Sequence, residues 1–302
     1  MYQHDHHSHD SGGGRALRGA LLLTLTFAAV EFIVGWWGGS LALMADAGHM
    51  LTDSTALGLA ALAAWIATRP ADQWHSWGHG RAEVIAALTN GAVMLGLVAM
   101  ILFNAIDRFQ NPVEVRGAAV LTVAAIGLVI NLAVLRVLHG GGAGDNINVR
   151  GAILHVIGDL LGSVAALASG AVILLTGWTP IDPILSLFIC VLILIAALRL
   201  IRTGLGVVME RVPAALDLEH VRGAMTDLDE VLEIHDLHIW QISSDRVALS
   251  AHVVLADLDN WPDLLGRLNE MLFERFGIDH PTLQPEPADG EDCGHANRHC
   301  HG

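Results

Sequence analysis

The chain has 302 residues, 53% of them hydrophobic, and a mean hydropathy of +0.51, which excludes an ordinary soluble composition. Its formal net charge is −15, with acidic residues dense after Glu210 and sparse before it. There is no lysine and no basic patch interleaved with aromatics, so the electrostatic footprint of a nucleic-acid binder is missing.

Residues 1–14 are polar and end in glycines, with histidine at His4, His6, His7 and His9, and are expected to be disordered. They lack the basic region, short apolar core and small-residue cleavage site of a secretory signal, so the first helix is expected to be retained. Apolar runs of roughly 20 residues, each long enough to cross a bilayer, then follow one another. The first runs from about Arg15 to Gly38 and ends in Trp36 and Trp37, aromatics suited to a membrane interface. The second covers Leu41 to Thr68, and a polar loop from Arg69 to Arg81 separates it from the third, Ala82 to Ile106. The fourth, fifth and sixth cover Gly117 to Leu138, Gly151 to Leu175 and Ile181 to Val208.

Arginine placement orients these six spans. Arg15, Arg18, Arg69, Arg81, Arg136, Arg150, Arg199, Arg202 and Arg211 fall at the amino terminus, in the even-numbered loops and after span six. Only Arg108 and Arg116 flank a loop on the other side, accompanied by Asp107 and Glu114. The positive-inside rule then puts both termini in the cytoplasm.

Residues 209–288 read as a small α+β domain. Leu216 to Leu228 has helical spacing, VLEIHDLHIWQIS and RVALSAHVVLA alternate as two strands of a hairpin, and WPDLLGRLNEMLFERFG is an amphipathic helix closed by Gly277. HPTLQPEP is expected as a last strand, giving an α-β-β-α-β order with antiparallel strands. The expected fold class is therefore an α-helical membrane protein with six transmembrane helices (15–208) and a cytoplasmic α+β domain. A tail over 289–302 contains Cys293, Cys300, His295, His299 and His301. Together with Cys190 in an apolar run, these cysteines form no disulfide framework and fit a reducing side for the tail.

The chemistry concentrates in the second and fifth spans. The stretch from Ser40 to Ala60 carries Asp46, His49 and Asp53, with His49 and Asp53 one helical turn apart on a shared face. The same His-x-x-x-Asp device returns as His155 and Asp159 in LHVIGDLLGS. Ionisable side chains inside a membrane are costly, on the order of 3 kcal/mol each, and mark function by default; helix-to-helix hydrogen bonding is the competing reading. Two imidazoles and two carboxylates fit a tetrahedral zinc ion, whereas calcium or magnesium favours more oxygens and copper(I) favours sulfur. Asp46 is i−3 from His49 and reads either as a residue supporting the site, as part of a proton route, or as helix packing. Glu31 and Asn131 are expected to hydrogen-bond neighbouring helices.

The stretches SLALMADAGHMLTD, HSWGHGRAE, NVRGAILHVIGDLLGS and HDLHIWQISSDRVALSAHV resemble the signature segments of the cation diffusion facilitator family, and the likeness extends over nearly the whole chain. That resemblance implies a zinc/proton antiporter of the zinc-preferring branch, a dimer of six-helix membrane domains, each with a cytoplasmic metallochaperone-like domain. It places the transport site at His49, Asp53, His155 and Asp159, and a second metal site at Asp72, His75 and His79, for which solvated loop residues are the alternative. It also matches His235, His252 and Glu286, with Gln284 beside them, to a cytoplasmic metal site, and Arg81 with Glu210 to a charge pair. Cys293 and Cys300 with the tail histidines could close a further zinc site, though their spacing is not that of a zinc finger.

The function expected is proton-coupled export of Zn2+, with Cd2+, Co2+ or Ni2+ compatible with the same ligands. The protein would lie in a cell membrane, the inner membrane in a bacterium. The expected partners are Zn2+, H+, the lipid bilayer and a second copy of the chain, with no nucleic acid, and zinc is also the expected structural or regulatory ion. Two rivals are a membrane-tethered zinc sensor or store and an intramembrane zinc hydrolase. The second lacks a His-Glu-x-x-His motif.

Overall fold

A computed structural model describes the backbone of residues 11–140, 147–243 and 246–288, with side chains over 24–136, 156–243 and 246–288. Hydrocarbon offers no hydrogen bonds to a peptide group, so an apolar run that crosses it must satisfy its backbone internally. Each such run here is a helix: α1 Ser11–Gly38, α2 Leu41–Ala67, α3 Ala82–Gln110, α4 Gly117–Gly140, α5 Ile147–Thr176 and α6 Ile181–Val208. Five of them, α2 to α6, are long and apolar enough to span a membrane, and α1 has a shorter apolar stretch over Thr24–Gly38. The first helix begins at Ser11 rather than Arg15, inside the segment expected to be disordered. Gly12 to Gly14 are poor helix formers, which is why the sequence argued for a later start.

The chain falls into two compact units, one of residues 1–61 and 87–201, the other of 62–86 and 202–302. In the first, small residues let backbones touch. A Cβ built on Gly170 of α5 would lie 2.6 Å from the Leu121 N of α4, and one on Gly117 of α4 would lie 2.9 Å from the Leu174 N of α5. Only glycine permits that approach, the usual device for packing helices where lipid is as apolar as the side chains.

One end of this unit is tied by Asp182, in the first turn of α6 and 0% exposed. Its Oδ1 accepts from Ser40 Oγ at 2.6 Å and Ser169 Oγ at 3.0 Å. Its Oδ2 accepts from the Leu41 N–H at 2.5 Å and from Arg108 Nη1 at 3.2 Å. The carboxylate thus caps the start of α2, where unpaired N–H groups and the helix dipole favour a negative charge. Ser40 completes the cap, its Oγ accepting from the Leu43 N–H at 3.1 Å. Arg108 also donates to the Gly39 carbonyl, so α2, α3, α5 and α6 converge on one side chain.

The second unit contains the α+β domain, built from α7 Leu218–Thr226, β1 Val231–Ser243, β2 Arg246–Leu255, α8 Trp261–Phe276 and β3 His280–Pro287. Asp217 caps α7, accepting from the His220 N–H at 2.9 Å. Leu264, Leu268 and Leu272 recur every four residues on α8 and are all buried, and Gly277 closes the helix at φ 66°. Along β2, Leu249, Ala251, Val253 and Leu255 face the core while Ser250, His252 and Val254 are half-buried on the other face.

The sheet order is β1-β2-β3, with β1 antiparallel to β2 but β3 parallel to β2. This corrects the expectation of antiparallel strands throughout. A tight hairpin reverses the chain between β1 and β2, whereas α8 carries it back to the end where β2 began. The hairpin turn at Ser244 and Asp245 lies outside the described residues.

Removing Asp182 would leave Arg108, 16% exposed, without its carboxylate, and losing one partner of a buried pair costs about 3–5 kcal/mol. Asp182→Ala is therefore expected to lower the thermal unfolding temperature of the detergent-solubilised chain markedly, with Asp182→Asn intermediate because it keeps one acceptor. Equal melting of Asp182→Ala and the parent would show that this end of the helices is held by something else.

Candidate metal centres

The polar residues singled out on α2 and α5 meet. His49 Nδ1 lies 3.3 Å from Asp53 Oδ2 on its own helix, and His49 Nε2 lies 3.7 Å from Asp159 Oδ1 on α5. One ligand atom from each of the three can be chosen so that all lie within 4.8 Å of one another. Two ligand atoms about 2.1 Å from a tetrahedral zinc ion are about 3.4 Å apart, so the cluster has the right scale. The side chains are 14%, 19% and 13% exposed, half-buried rather than sealed. The imidazole stands between two carboxylates with a different nitrogen towards each, whereas an ion takes a single nitrogen. A small rotation of the ring or of one carboxylate would close the set. The side chain of His155, the fourth expected ligand, lies outside the described residues.

Beside this cluster runs a buried polar chain. Asn131 Nδ2 on α4 donates to Ser163 Oγ on α5 at 3.1 Å, and Ser163 Oγ donates to Asp46 Oδ2 on α2 at 3.1 Å. Ser163 is one turn beyond Asp159. Asp46, 0% exposed, therefore bonds to the turn that follows Asp159 and is outside the group of clustered ligands.

A second cluster sits in the loop between α2 and α3. Asp72 Oδ1 accepts from the backbone N–H of Trp74 and of His75, both at 2.8 Å, and His75 Nδ1 lies 3.0 Å from it. These bonds to the ionised form, the Trp74 N–H first among them, hold the Asp72 carboxyl below the usual carboxylate range. His79 Nε2 is 3.9 Å from Asp72 Oδ2, and its ring stacks near that of His75 with centroids 4.4 Å apart. Ligand atoms of all three residues lie within 4.8 Å of one another, with Gly78 making the turn at φ 73°. His79 also lines a cavity of about 980 Å3, bounded further by Arg69, Trp77, Arg246 and His280.

The third cluster follows from strand register. His235 on β1 and His252 on β2 are directly opposite, and Gln284 on β3 is opposite His252. Glu286, two residues beyond Gln284 and so on the same face, places its carboxylate between the imidazoles. Glu286 Oε2 is 2.9 Å from His235 Nε2, and Oε1 is 2.7 Å from His252 Nδ1. Gln284 Nε2 donates to Oε1 at 3.3 Å, which positions the carboxylate without supplying a nitrogen ligand. The face is partly open, with the three side chains 43%, 31% and 21% exposed.

Several smaller expectations resolve here. Arg81 Nη2 does meet Glu210 Oε1 at 3.4 Å, but both are more than half exposed, so the pair contributes about 0–1 kcal/mol. His238, on the same strand as His235, is exposed and 3.5 Å from Asp236. It follows a bulge between His235 and His238 at which Asp236 takes φ 52°. His280 opens β3 and meets the Trp77 ring edge-on, with centroids 4.8 Å apart. Cys293 and Cys300 lie outside the described residues. Sequence reasoning missed Asp182, although a lone aspartate at the head of an apolar run was the signal available.

Comparison with known proteins finds matches over both the membrane and the α+β parts of the chain. Residues 17–209 match the family model described as the cation efflux transmembrane domain, and residues 213–288 match that of the cation efflux protein cytoplasmic domain. The chain is 42% identical over 290 residues to a zinc transporter ZitB of Yersinia pestis, covering 95% of this chain and 92% of that one. It is 36% identical over 285 residues to a cadmium, cobalt and zinc/H(+)-K(+) antiporter of Bacillus subtilis, covering 93% and 91%. A solved structure of the metal-bound C-terminal domain of the CzcD transporter from Cuprividus metallidurans is 35% identical over 24% of this chain and 99% of that one, with a TM-score of 0.23. The chain belongs to the cation efflux family, as a membrane transporter rather than an enzyme.

Proposed function

We propose that the chain exports Zn2+ from the cytoplasm across a bacterial inner membrane in exchange for protons, using His49, Asp53, His155 and Asp159 as the transport site. The observation that carries this reading is the convergence of an imidazole and two carboxylates from two apolar helices within 4.8 Å, where such groups are too costly to be incidental. The similarity to a zinc transporter over nearly the full length supports zinc as the substrate, and the relative named for cadmium, cobalt and zinc supports a site that admits several borderline metals. The arginine distribution supports cytoplasmic termini.

The chemistry follows from the ligands. His49 Nδ1 faces Asp53 at 3.3 Å and Nε2 faces Asp159 at 3.7 Å, so a metal ion and protons compete for the same small group of ligand atoms. Zinc takes the same nitrogens and oxygens only when they are deprotonated, so its arrival releases protons and their return releases zinc. Alternating exposure of the helix pair to the two sides then couples the two flows. Asp53→Ala is expected to lower zinc flux into proteoliposomes under a pH gradient by more than about 100-fold, since even groups that only orient a ligand cost 10–100-fold. Zinc–proton exchange persisting in Asp53→Ala would overturn the site.

We further assign Asp72, His75 and His79, and separately His235, His252 and Glu286, as cytoplasmic zinc sites, with Cys293 and Cys300 as a possible tail site. The His235–His252–Glu286 cluster belongs to the cytoplasmic domain through which the protein forms a homodimer. Its geometry supports binding because one carboxylate already spans two imidazoles. In equilibrium dialysis of the full chain, Glu286→Ala is expected to remove about one bound zinc per chain, since loss of a ligand opens the set, while flux at saturating zinc persists. Undiminished binding would mean that the two histidines are structural.

A further inference from the structure

Of the two polar residues expected to hydrogen-bond across helices, Asn131 does so and Glu31 does not. The Glu31 side chain on α1 is 0% exposed, and neither carboxyl oxygen has a hydrogen-bond partner among the described residues. The space it occupies is made for it. A Cβ on Gly127 of α4 would lie 2.8 Å from Glu31 Oε1 and 2.8 Å from the Phe27 ring, so any larger residue there would displace the carboxyl.

The ionisable groups that act on it most among the described residues are carboxylates. From α2 it feels Asp46 and from α5 it feels Asp159, while α4 presents Gly127 and Asn131, neither of them ionisable. Asp46 is itself half satisfied. Its Oδ2 takes the Ser163 hydroxyl, but Oδ1 has no partner among the described residues and is held close to Gly162. A carboxylate buried without donors or a cation carries a desolvation penalty of several kcal/mol, which hydrogen bonding relieves at Asp182 and no hydrogen bond among the described residues relieves at Glu31.

We propose that Glu31 is a proton-binding site of the exchange cycle, holding a proton while the metal site is empty and giving it up when zinc arrives. The link is charge. With the metal site holding neither zinc nor protons, Asp46 and Asp159 oppose a negative charge on Glu31; a divalent cation bound to Asp53 and Asp159 cancels the share that comes from Asp159. The O–H bond of Glu31 then breaks and its proton leaves for water, and zinc departure reverses the step. One proton per zinc would come from α1, a helix that supplies no metal ligand. This deepens the antiport reading and rests on it.

The test uses the full chain in detergent and in proteoliposomes, with zinc and protons as the only ligands. Protons released on zinc addition are counted in weakly buffered solution, and infrared difference spectra follow protonated carboxyl groups. The unmutated chain is expected to release protons and to lose a protonated-carboxyl band on zinc binding. Glu31→Gln is expected to release about one proton fewer per zinc and to lack that part of the band, because proton release tracks the groups that zinc discharges. Its zinc affinity at neutral pH should change by less than about tenfold, since no ligand is removed. Glu31→Asp, which keeps a carboxyl, should restore the release. If the unmutated chain exchanges no protons for zinc, the antiport reading itself fails. If it does but Glu31→Gln releases the same number with the same band, Glu31 is not the site. An unmutated spectrum with no loss of a protonated carboxyl overturns the proposal however the variant folds.

Discussion

A carboxylate placed among apolar helices must be met by donors, by a cation or by a proton, because hydrocarbon supplies none of them. The membrane-spanning part of this chain answers that demand differently at each place it arises. Asp182 is met by four donors, the hydroxyls of Ser40 and Ser169, the Leu41 N–H and Arg108, and so becomes the knot that joins α2, α3, α5 and α6. Asp53 and Asp159 are met by one imidazole between them, an arrangement that a metal ion can take over. Asp46 is met on one oxygen. The graded satisfaction separates the rigid end of the helices from the part whose occupancy can change, since fully bonded networks hold one geometry and partly bonded ones do not.

Much of the fold was legible because the dominant physics is periodic and local. Uninterrupted apolar runs of bilayer length admit only a helix, and alternation over VLEIHDLHIWQIS and RVALSAHVVL admits only half-buried strands, which fold as β1 and β2. The direction of β3 was not legible in the same way. Composition and alternation do not encode strand polarity; it follows from the connection, and the amphipathic helix before HPTLQPEP was the evidence that the chain had already turned back. The start of α1 at Ser11 shows the opposite limit, a helix extending through three glycines against their intrinsic preference.

The candidate sites divide along the same line. His49 with Asp53 was readable from an i, i+4 spacing, because helical geometry alone puts both on one face. That Asp159 joins them depends on which helices pack together, and no single spacing carries that information. His235, His252 and Glu286 were readable only as positions, since their convergence needs a register, a parallel strand and a two-residue step on one face. Glu31 was readable as polar and buried, but not as unpartnered. Whether a buried group finds a donor is settled by its neighbours, and the decisive neighbour here, Gly127, is one that provides room instead of a bond.

The membrane and soluble clusters also differ in charge, and the difference suits where each is. Two aspartates and two histidines around Zn2+ sum to zero, and the same carboxylates carrying two protons also sum to zero. In the proposed cycle the site therefore presents little net charge to a low-dielectric interior in either loaded form, which spares it the Born cost of moving an ion there. One glutamate and two histidines around Zn2+ leave a net positive charge, which would be prohibitive among apolar helices. On a sheet face where His235 and His252 remain partly exposed, water screens that charge at little cost. Electroneutrality thus constrains the transporting cluster far more tightly than the cytoplasmic one. It also bears on the extra buried carboxyl at Glu31, which in the proposed cycle carries a proton of its own whenever the neighbouring carboxylates hold neither metal nor protons.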